Sequence, residues 1–464
     1  MFQGDTMIVK LNDSSFSYDV HSLVSAFYPG TKVTVIPADD DTLEDLNVCV
    51  DPNAHSDRTA VKNHLKRTLY RKLEKETGRK LPWGTLTGIR PTKIPMKMIR
   101  EGKSDPDIRS YLWQEYLCSK DKTDLSIRIA HKEKAVIDSL SQNGFSLYAG
   151  IPFCPTTCMY CSFTSYPITS WKDHTGEYLG AVKKELDFFA GYYRGRHLDS
   201  IYIGGGTPTT LSPDELFDLI GYITKSFDVS SLKELTVEAG RPDSITKEKL
   251  DALIAAGADR ISINPQTMND ETLKIIGRRH TTEDVYAAFE LARSAGFNNI
   301  NMDLIFGLPG EGKEEVANTL SRIEGLSPDS LTIHSMAIKR AAKMAEFLRE
   351  HEELSGTNTP EMMDMAGKCA ASIGLEPYYL YRQKNMSGNF ENIGYARRGM
   401  EGIYNIAIME EVSDIAAVGA GTISKRVFDD GRIERCDNVK DVRLYIDRID
   451  EMIDKKKKLF VKGE

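Results

Sequence analysis

"GIPFCPTTCMYCSFTSYP", residues 150–167, holds three of the chain's seven cysteines, Cys154, Cys158 and Cys161, spaced C-x3-C-x2-C. Three thiolates on one loop can wrap one corner of a metal cluster. A zinc site normally takes four ligands, and no C-x2-C or H-x3-H pair follows nearby to complete one. A four-thiolate iron–sulfur site would need a further cysteine, which Cys369 or Cys436 could supply only from far downstream. If three alone bind a cubane 4Fe-4S cluster, one iron stays open to an outside ligand. The remaining reading is a set of buried free cysteines. The Pro- and Thr-rich loop directly after a β-like run speaks against it.

Outward from that loop, one pattern repeats. From Ser146, short apolar or β-branched runs recur: SLYAGI, SIYIGGGTP, ELTVEAG, RISINPQT, NINMDLIFGLPG and SLTIHSMAI. Amphipathic segments such as GEYLGAVKKELDFFAGYYR and TTEDVYAAFELARSAG separate them. Six β-then-α units in series predict an α/β fold of parallel strands with helical crossovers. An open doubly wound sheet and a complete or partial barrel both satisfy the pattern. Polar and glycine residues stand at the C-terminal ends of nearly every run, where both kinds of fold build their sites.

Upstream, residues 1–143 read as a small α+β domain with a helical connector. MIVKL, KVTVIPA and LNVCV are its expected strands, with a helix around DVHSLVSAFY. Val61, Leu65, Leu69 and Leu73 form a stripe that predicts a helix over 57–80. LPWGTLTGIRPTK (81–93) is too rich in Gly and Pro for a regular element, and two helical stretches are expected from there to about Ser141. The repeating unit occupies 144–355. A mixed extension fills 356–464, with strands expected at PYYLYRQ, YNIAIME and DIAAVGAGTISKRVF and a final helix over about 438–455.

Composition narrows the classes. A length of 464 residues favours two or three domains. Hydrophobic residues at 41% and charged residues at 28% suit a globular chain with sizeable cores. A net charge of −8 argues against a dedicated nucleic-acid binder. MFQGDTMIVKLNDSS lacks the basic and apolar regions of a signal peptide, and no apolar run approaches the ~18 residues of a membrane span. Seven unevenly spaced cysteines do not suggest a secreted disulfide framework, so a cytoplasmic location is expected.

The motif C-x3-C-x2-C with an aromatic, Tyr160, just before the last cysteine resembles the signature of radical S-adenosylmethionine (SAM) enzymes. More specifically, the chain is similar to the oxygen-independent coproporphyrinogen III oxidase family, in its HemZ-type branch. The resemblance is carried by YAGIPFC, GGGTPT, VEAGRPD, RISINPQT, IGRRH and DLIFGLPGE in order, then by YRQKNMSGNFENIGYA and GAGTISK. It implies a partial (βα)6 barrel flanked by the N-terminal α+β domain and the C-terminal mixed extension. It also implies a 4Fe-4S cluster on Cys154, Cys158 and Cys161, whose open iron chelates the amino and carboxylate groups of SAM. Cleavage of the sulfonium then yields a 5′-deoxyadenosyl radical, the cofactor carrying the hard chemistry.

The same resemblance implies SAM contacts at Tyr148, Tyr160, Gly205, Gly206, Thr207, Glu238, Gln266, Arg278, Asp303 and Ala337. Glu238, Gln266 and Asp303 are expected to end the third, fourth and fifth strands, and Ala337 to lie on the sixth. Taken singly, GGGTPT reads equally as a tight βα turn, Glu238 or Gln266 as a helix cap, and the tyrosines as core residues. The implied reaction converts propionate side chains of a tetrapyrrole substrate to vinyls, with electrons from a reducing donor such as flavodoxin or ferredoxin. Arg382, Arg397 and Arg398 are candidate propionate partners. Gly150, the ending Cys161-Ser162-Phe163 and INPQ depart from the well-studied oxidases, which have histidine, Cys-Gly-Cys and GVQ there.

Three other readings remain open. One is haem binding and delivery, another a different radical reaction on a tetrapyrrole, such as methyl transfer with ring opening. The third is RNA binding by the N-terminal domain, whose 57–80 helix carries ten Lys, Arg or His residues against three acids.

Overall fold

The computed structural model describes residues 6–40, 44–51, 57–88, 90–336, 343–351, 354, 356, 358–382 and 390–461. The chain divides into two compact units, Met1–Lys132 with Leu380–Asn389, and Glu133–Tyr379 with Phe390–Glu464. The division falls within the Lys120–Ser139 helix.

The first unit begins β1 (Thr6–Leu11), α1 (Ser17–Phe27), β2 (Lys32–Pro37), β3 (Leu46–Val48) and α2 (Arg58–Thr77). Its sheet runs β2-β1-β3, all parallel. The leucine stripe of α2 and the apolar face of α1 close over β1, and Val9, Leu11, Val20, Phe27, Leu65 and Leu73 are buried together. The basic face of α2 is partly spent inside this unit. Lys66 is buried with its Nζ donating to Thr87 Oγ1 at 2.9 Å, and Arg67 pairs with Glu115 at 2.5 Å.

Three helices follow rather than the two expected: α3 (Lys93–Arg100), α4 (Asp105–Tyr116) and α5 (Lys120–Ser139). The extra break has a local cause. Gly102 adopts φ +77, and a Ser104–Asp107 capping box with Pro at its start opens α4 as a new helix.

The second unit alternates strands and helices: β4 (Gly144–Ile151), β5 (Phe153–Cys154), β6 (Tyr166–Pro167), α6 (Thr175–Tyr192), β7 (His197–Gly205), α7 (Pro213–Ser226), β8 (Glu234–Glu238), α8 (Lys247–Ala255) and β9 (Arg260–Ser262). Then come α9 (Asp270–Ile275), α10 (Thr282–Ala295), β10 (Ile300–Phe306), α11 (Lys313–Leu326), β11 (Ser330–Ser335), α12 (Lys343–Glu350) and α13 (Pro360–Ser372). The chain closes with β12 (Glu376–Tyr381), β13 (Asn392–Ala396), α14 (Ile403–Glu410), β14 (Asp414–Val418), β15 (Ile423–Val427), β16 (Ile433–Asp437), α15 (Val442–Asp447) and α16 (Ile449–Phe460).

The sheet order is β12-β13-β11-β10-β9-β8-β7-β4-β14-β15-β16. Its middle is six parallel strands in chain order, β4, β7, β8, β9, β10 and β11. Outside them β14 joins β4 in parallel, whereas β13, β15 and β16 pair antiparallel. The protein is therefore an α/β protein built on a large mixed sheet.

Register sorts the strands' two faces by chemistry. Ser146, Tyr148 and Gly150 align with Ser200, Tyr202 and Gly204, and Glu238 aligns with Ser262, which aligns with Asn301. Asp303 continues that face beside Thr332. The alternate residues are apolar and fully buried: Leu147, Ile201, Ile203, Val237, Ile261, Met302, Leu304 and Ile333. Side chains alternate across a strand, so one face packs while the other is polar.

Two C-terminal expectations are corrected. YNIAIME is not a strand but most of α14. Glu234 accepts the free N–H groups of Ile403 and Tyr404 at its N-terminus, at 2.5 and 3.4 Å. A short, mostly apolar run fits both periods, and this carboxylate at the positive helix end favours the helix. The single final helix is two, α15 and α16, meeting at Arg448.

Candidate functional site

The cysteine loop is pinned from both sides. On one side Gly206 N donates to Ile151 O at 2.8 Å and Thr207 N to Phe153 O at 2.7 Å. On the other, Met159 N donates to Ile276 O at 3.0 Å, and Thr156 Oγ1 to Gly277 O at 3.2 Å. The GGGTPT and IGRRH motifs are thus the two walls of the loop.

Glycine is required in the first wall. Gly205 has φ +109, a region other residues avoid. A Cβ on Gly206 would stand 2.9 Å from Cys154 Sγ and 2.7 Å from Phe153 O. The backbone there comes as close to the thiol as it can.

Burial pushes the Cys154 thiol up to about 11, and the neighbouring Cys161 and Cys158 add to the rise, against a hydrogen bond from Thr207 at 3.6 Å. A metal binding to such a thiol displaces its proton. Among the described residues, no three His, Cys, Asp or Glu side chains converge on one point as a single metal ion requires. A cubane asks for something else, three thiolates that each meet a different iron, and three cysteines on one pinned loop fit that demand.

Above the polar face lies a set of half-buried groups. Glu238 ends β8, as expected. Its Oε1 accepts from Tyr202 Oη at 2.6 Å and its Oε2 from Gly205 N at 3.2 Å. Burial, with help from the charge on Asp303, nevertheless raises Glu238 to about 7. Asp303 is shifted the other way. Burial would raise it, but the neighbouring His334 and the Asn301 amide, with Thr332 close by, hold it below the usual carboxylate range. Asn301 Nδ2 donates to it at 2.7 Å and His334 Nε2 lies 3.8 Å away. Two carboxyls on one face are thereby driven apart in acidity.

The expected strand ends need adjustment. Asp303 sits in the middle of β10 because that strand runs on to Phe306. Gln266 lies four residues beyond β9, in the left-handed region at φ +70. Its backbone is held there by Gln266 N to Asp303 O at 3.0 Å and Ile305 N to Gln266 O at 2.8 Å. The Gln266 Oε1, Asn264 Oδ1 and Ser262 Oγ atoms are all buried without a partner among the described residues. Buried polar atoms are rarely left so, and three near one strand end fit a polar ligand.

Arg278 is buried, with Nη1 donating to Asn264 O at 2.5 Å and its side chain facing Tyr160 and Cys158. Tyr160 packs against the cluster of Leu273, Ile276, Ile305 and Met344. Tyr148 stacks on Tyr202 with ring centres 6.0 Å apart and on Tyr404 at 5.8 Å. The structure thus gathers Tyr148, Gly205, Gly206, Thr207 and Glu238 along one wall. Tyr160 and Arg278 line the other, with Gln266 and Asp303 beyond. Ala337 lies outside the described residues, two beyond the end of β11.

Sequence reasoning did not single out Tyr202, His334, Tyr404 or Arg241. The signal for the first two was strict alternation, a polar residue at every second position of each strand. Of the arginines expected at substrate carboxylates, Arg397 is committed elsewhere. It bonds Ile373 O and Ser327 Oγ at 2.8 Å each and lies 3.6 Å from Asp329. Arg382 belongs to the first unit, where its Nη1 donates to Leu86 O at 2.6 Å, and Arg398 is exposed.

Comparison with known proteins identifies relatives of this chain. The family model described as "Radical SAM superfamily" matches residues 148–323. The chain is 42% identical over 402 residues to the Bacillus subtilis "Oxygen-independent coproporphyrinogen-III oxidase-like protein HemZ", covering 85% of this chain and 80% of that one. It is 39% identical over 195 residues to the B. subtilis "Heme chaperone HemW", covering 42% and 51%. The solved coproporphyrinogen III oxidase HemN from Escherichia coli, described as a radical SAM enzyme, superposes with a TM-score of 0.53 at 25% identity, over 70% of this chain and 73% of that one.

Proposed function

Because the chain belongs to the radical SAM superfamily, in its HemZ-like oxygen-independent coproporphyrinogen oxidase branch, we propose that it oxidatively decarboxylates coproporphyrinogen III propionates to vinyls. The supporting observation is the doubly pinned three-cysteine loop facing a polar wall that ends in Glu238 and Asp303. In this reading Cys154, Cys158 and Cys161 hold a 4Fe-4S cluster, and the central six strands form a partial barrel around the ligand. When bound, the cluster and SAM supply a 5′-deoxyadenosyl radical able to take hydrogen from an unactivated C–H bond.

The chain's own residues bind and orient. Gly205, Gly206 and Thr207 present backbone close to the cluster loop. Glu238, half protonated near neutral pH, either donates or accepts there, whereas ionised Asp303 accepts only. Gln266 and Asn264 offer free acceptors to an amino or hydroxyl group. The Tyr148–Tyr202–Tyr404 stack excludes water from one side of the polar face. The substrate is a tetrapyrrole and the partner a reducing electron donor such as flavodoxin or ferredoxin, in the cytoplasm. Among the described residues, no helix is long and apolar enough to cross a membrane.

A second reading, haem handling, draws on the likeness to the heme chaperone. One experiment separates the two. The cluster is reconstituted anaerobically, and SAM, a reductant and coproporphyrinogen III are added, with products read by mass spectrometry. Loss of two CO2 with formation of 5′-deoxyadenosine supports the oxidase. Formation of 5′-deoxyadenosine from SAM beside unchanged porphyrinogen refutes it, and tight haem binding would then favour the second reading.

A further inference from the structure

Arg241, in the VEAGRPD stretch, is almost fully buried and has one arm free for the cysteine loop. Asp243 grips its other arm from two sides, with Nε to Oδ1 at 2.9 Å and Nη2 to Oδ2 at 2.7 Å. That fork leaves Nη1 to donate to Thr156 Oγ1 at 3.1 Å and to Cys158 Sγ at 3.7 Å. Local sequence explains the aim. Pro242 starts a short 3-10 turn at Pro242–Ser244, and Ser244 Oγ donates to Arg241 O at 2.7 Å. Ser244 in turn bonds Thr209 of the GGGTPT wall at 2.6 Å. The arginine is thus fixed by two strand-end loops and aimed at the third.

A buried guanidinium so clamped costs free energy unless its last N–H groups find acceptors. One of those acceptors is a thiol sulfur. We propose that Arg241, aligned by Asp243, is a positioning residue for the cluster: its Nη1–H bonds the Cys158 sulfur and makes the cluster easier to reduce. The physical reason is charge. Each added electron increases the negative charge on the thiolate sulfurs, and an N–H donor stabilises the reduced form more than the oxidised one. Arg278, facing the same Cys158, acts in the same sense. The proposal rests on Cys158 being a cluster ligand, as in the reading above.

The test uses the full chain with an anaerobically reconstituted cluster. Iron and sulfide content and the spectrum of the reduced cluster come first. A wild-type chain that takes up no cluster overturns the reading of the cysteine loop rather than the role of Arg241 alone. With the cluster present, an EPR-monitored redox titration compares wild type with Arg241→Gln, Arg241→Lys, Asp243→Asn and, as control, the exposed neighbour variant Arg279→Gln. Arg241→Gln is expected to be harder to reduce, with a clearly more negative midpoint. Arg241→Lys should recover part of the shift, and Arg279→Gln should match wild type. If Arg241→Gln fails to hold iron, Arg241→Lys and Asp243→Asn decide. Wild-type midpoints in variants with full iron content overturn the proposal.

Discussion

Lys456 on α16 and Glu185 on α6 form a salt bridge in which both side chains are fully buried. Glu185 also accepts from Gly419 N at 2.9 Å, Tyr445 Oη at 2.6 Å and Asn438 Nδ2 at 2.8 Å. Lys456 donates in addition to Asn438 Oδ1 at 2.6 Å. The substitution Lys456→Met keeps the volume and removes the cation, leaving a buried carboxylate with three neutral donors. Removing one partner of a buried pair typically costs about 3–5 kcal/mol, and the three donors place this case near the lower end, about 3 kcal/mol. The paired change Glu185→Gln with Lys456→Met removes both charges and should recover at least half of that. The reach of the loss is set by geometry. Tyr178 Oη donates to Gly150 O at 2.6 Å and accepts from Ala420 N at 3.0 Å, so the 419–422 turn held by Glu185 abuts the strand that leads into the cysteine loop. A double-mutant cycle by urea denaturation, with hydrogen-exchange mass spectrometry of peptides from 176–192 and 415–425, reads both effects. A cost for Lys456→Met below about 1 kcal/mol, or strictly additive single and double variants, would refute the reasoning.

Three further variants have expected outcomes. Gly206→Ala should fold but take up little iron, because the new Cβ meets a fixed carbonyl at 2.7 Å and the Cys154 sulfur at 2.9 Å; normal iron loading in this variant would contradict the cradle. Glu238 has a folded value raised to about 7, so its neutral form stabilises the fold at low pH and that stability is lost as pH rises from the ordinary 4.5 through 7. Discounting for partial exposure, Glu238→Gln should gain about 2 kcal/mol over wild type at pH 8 and nothing at pH 4, as urea midpoints would show. The same variant with full iron should bind SAM at least about tenfold more weakly by equilibrium dialysis. His280 is buried with neither ring nitrogen bonded among the described residues, and burial beside Arg278 and Arg241 lowers it to about 4. Its neutral form is favoured in the fold, so stability falls as pH drops from about 6.5 towards 4, by up to about 3 kcal/mol. His280→Leu should flatten that part of the urea-midpoint profile, and a profile identical to wild type would exclude the assignment.

How much of this was legible in the sequence depends on which period carried the information. The cysteine spacing, the glycine walls and the series of strand-then-helix units are local patterns, and the six parallel strands stand in chain order. Asp303 was placed at a strand end because the turn residues Gly307 and Pro309 mark where β10 stops only once its register with β11 is known. α14 was unreadable for a different reason. Its apolar residues are compatible with strand or helix, and the deciding contact, Glu234 on its first N–H groups, comes from 169 residues away. Arg241 looked like any charged loop residue, since its value lies in Asp243 two residues on and Cys158 far upstream.

The alternation on the central strands is what makes the fold commit to a ligand. Ser146, Ser200, Thr236, Ser262, Asn301 and Ser330 occupy the face opposite the helix-packed one, and all are buried. A sheet meant only to pack would carry apolar residues on both faces, as parallel sheets covered on both sides do. Here the cost of burying those groups is offset below by Arg260 bonding Ser330 Oγ at 3.1 Å and by Glu234 capping α14. Higher on the same face three more atoms, on Ser262, Asn264 and Gln266, stay unbonded among the described residues, beside Glu238, Asp303 and Arg278. At the floor protein contacts meet most of this face, Thr236 Oγ1 and Arg260 Nε being exceptions, whereas the unbonded atoms of Ser262, Asn264 and Gln266 gather at the cysteine end, so the same alternation that folds the strands also decides where the chemistry sits.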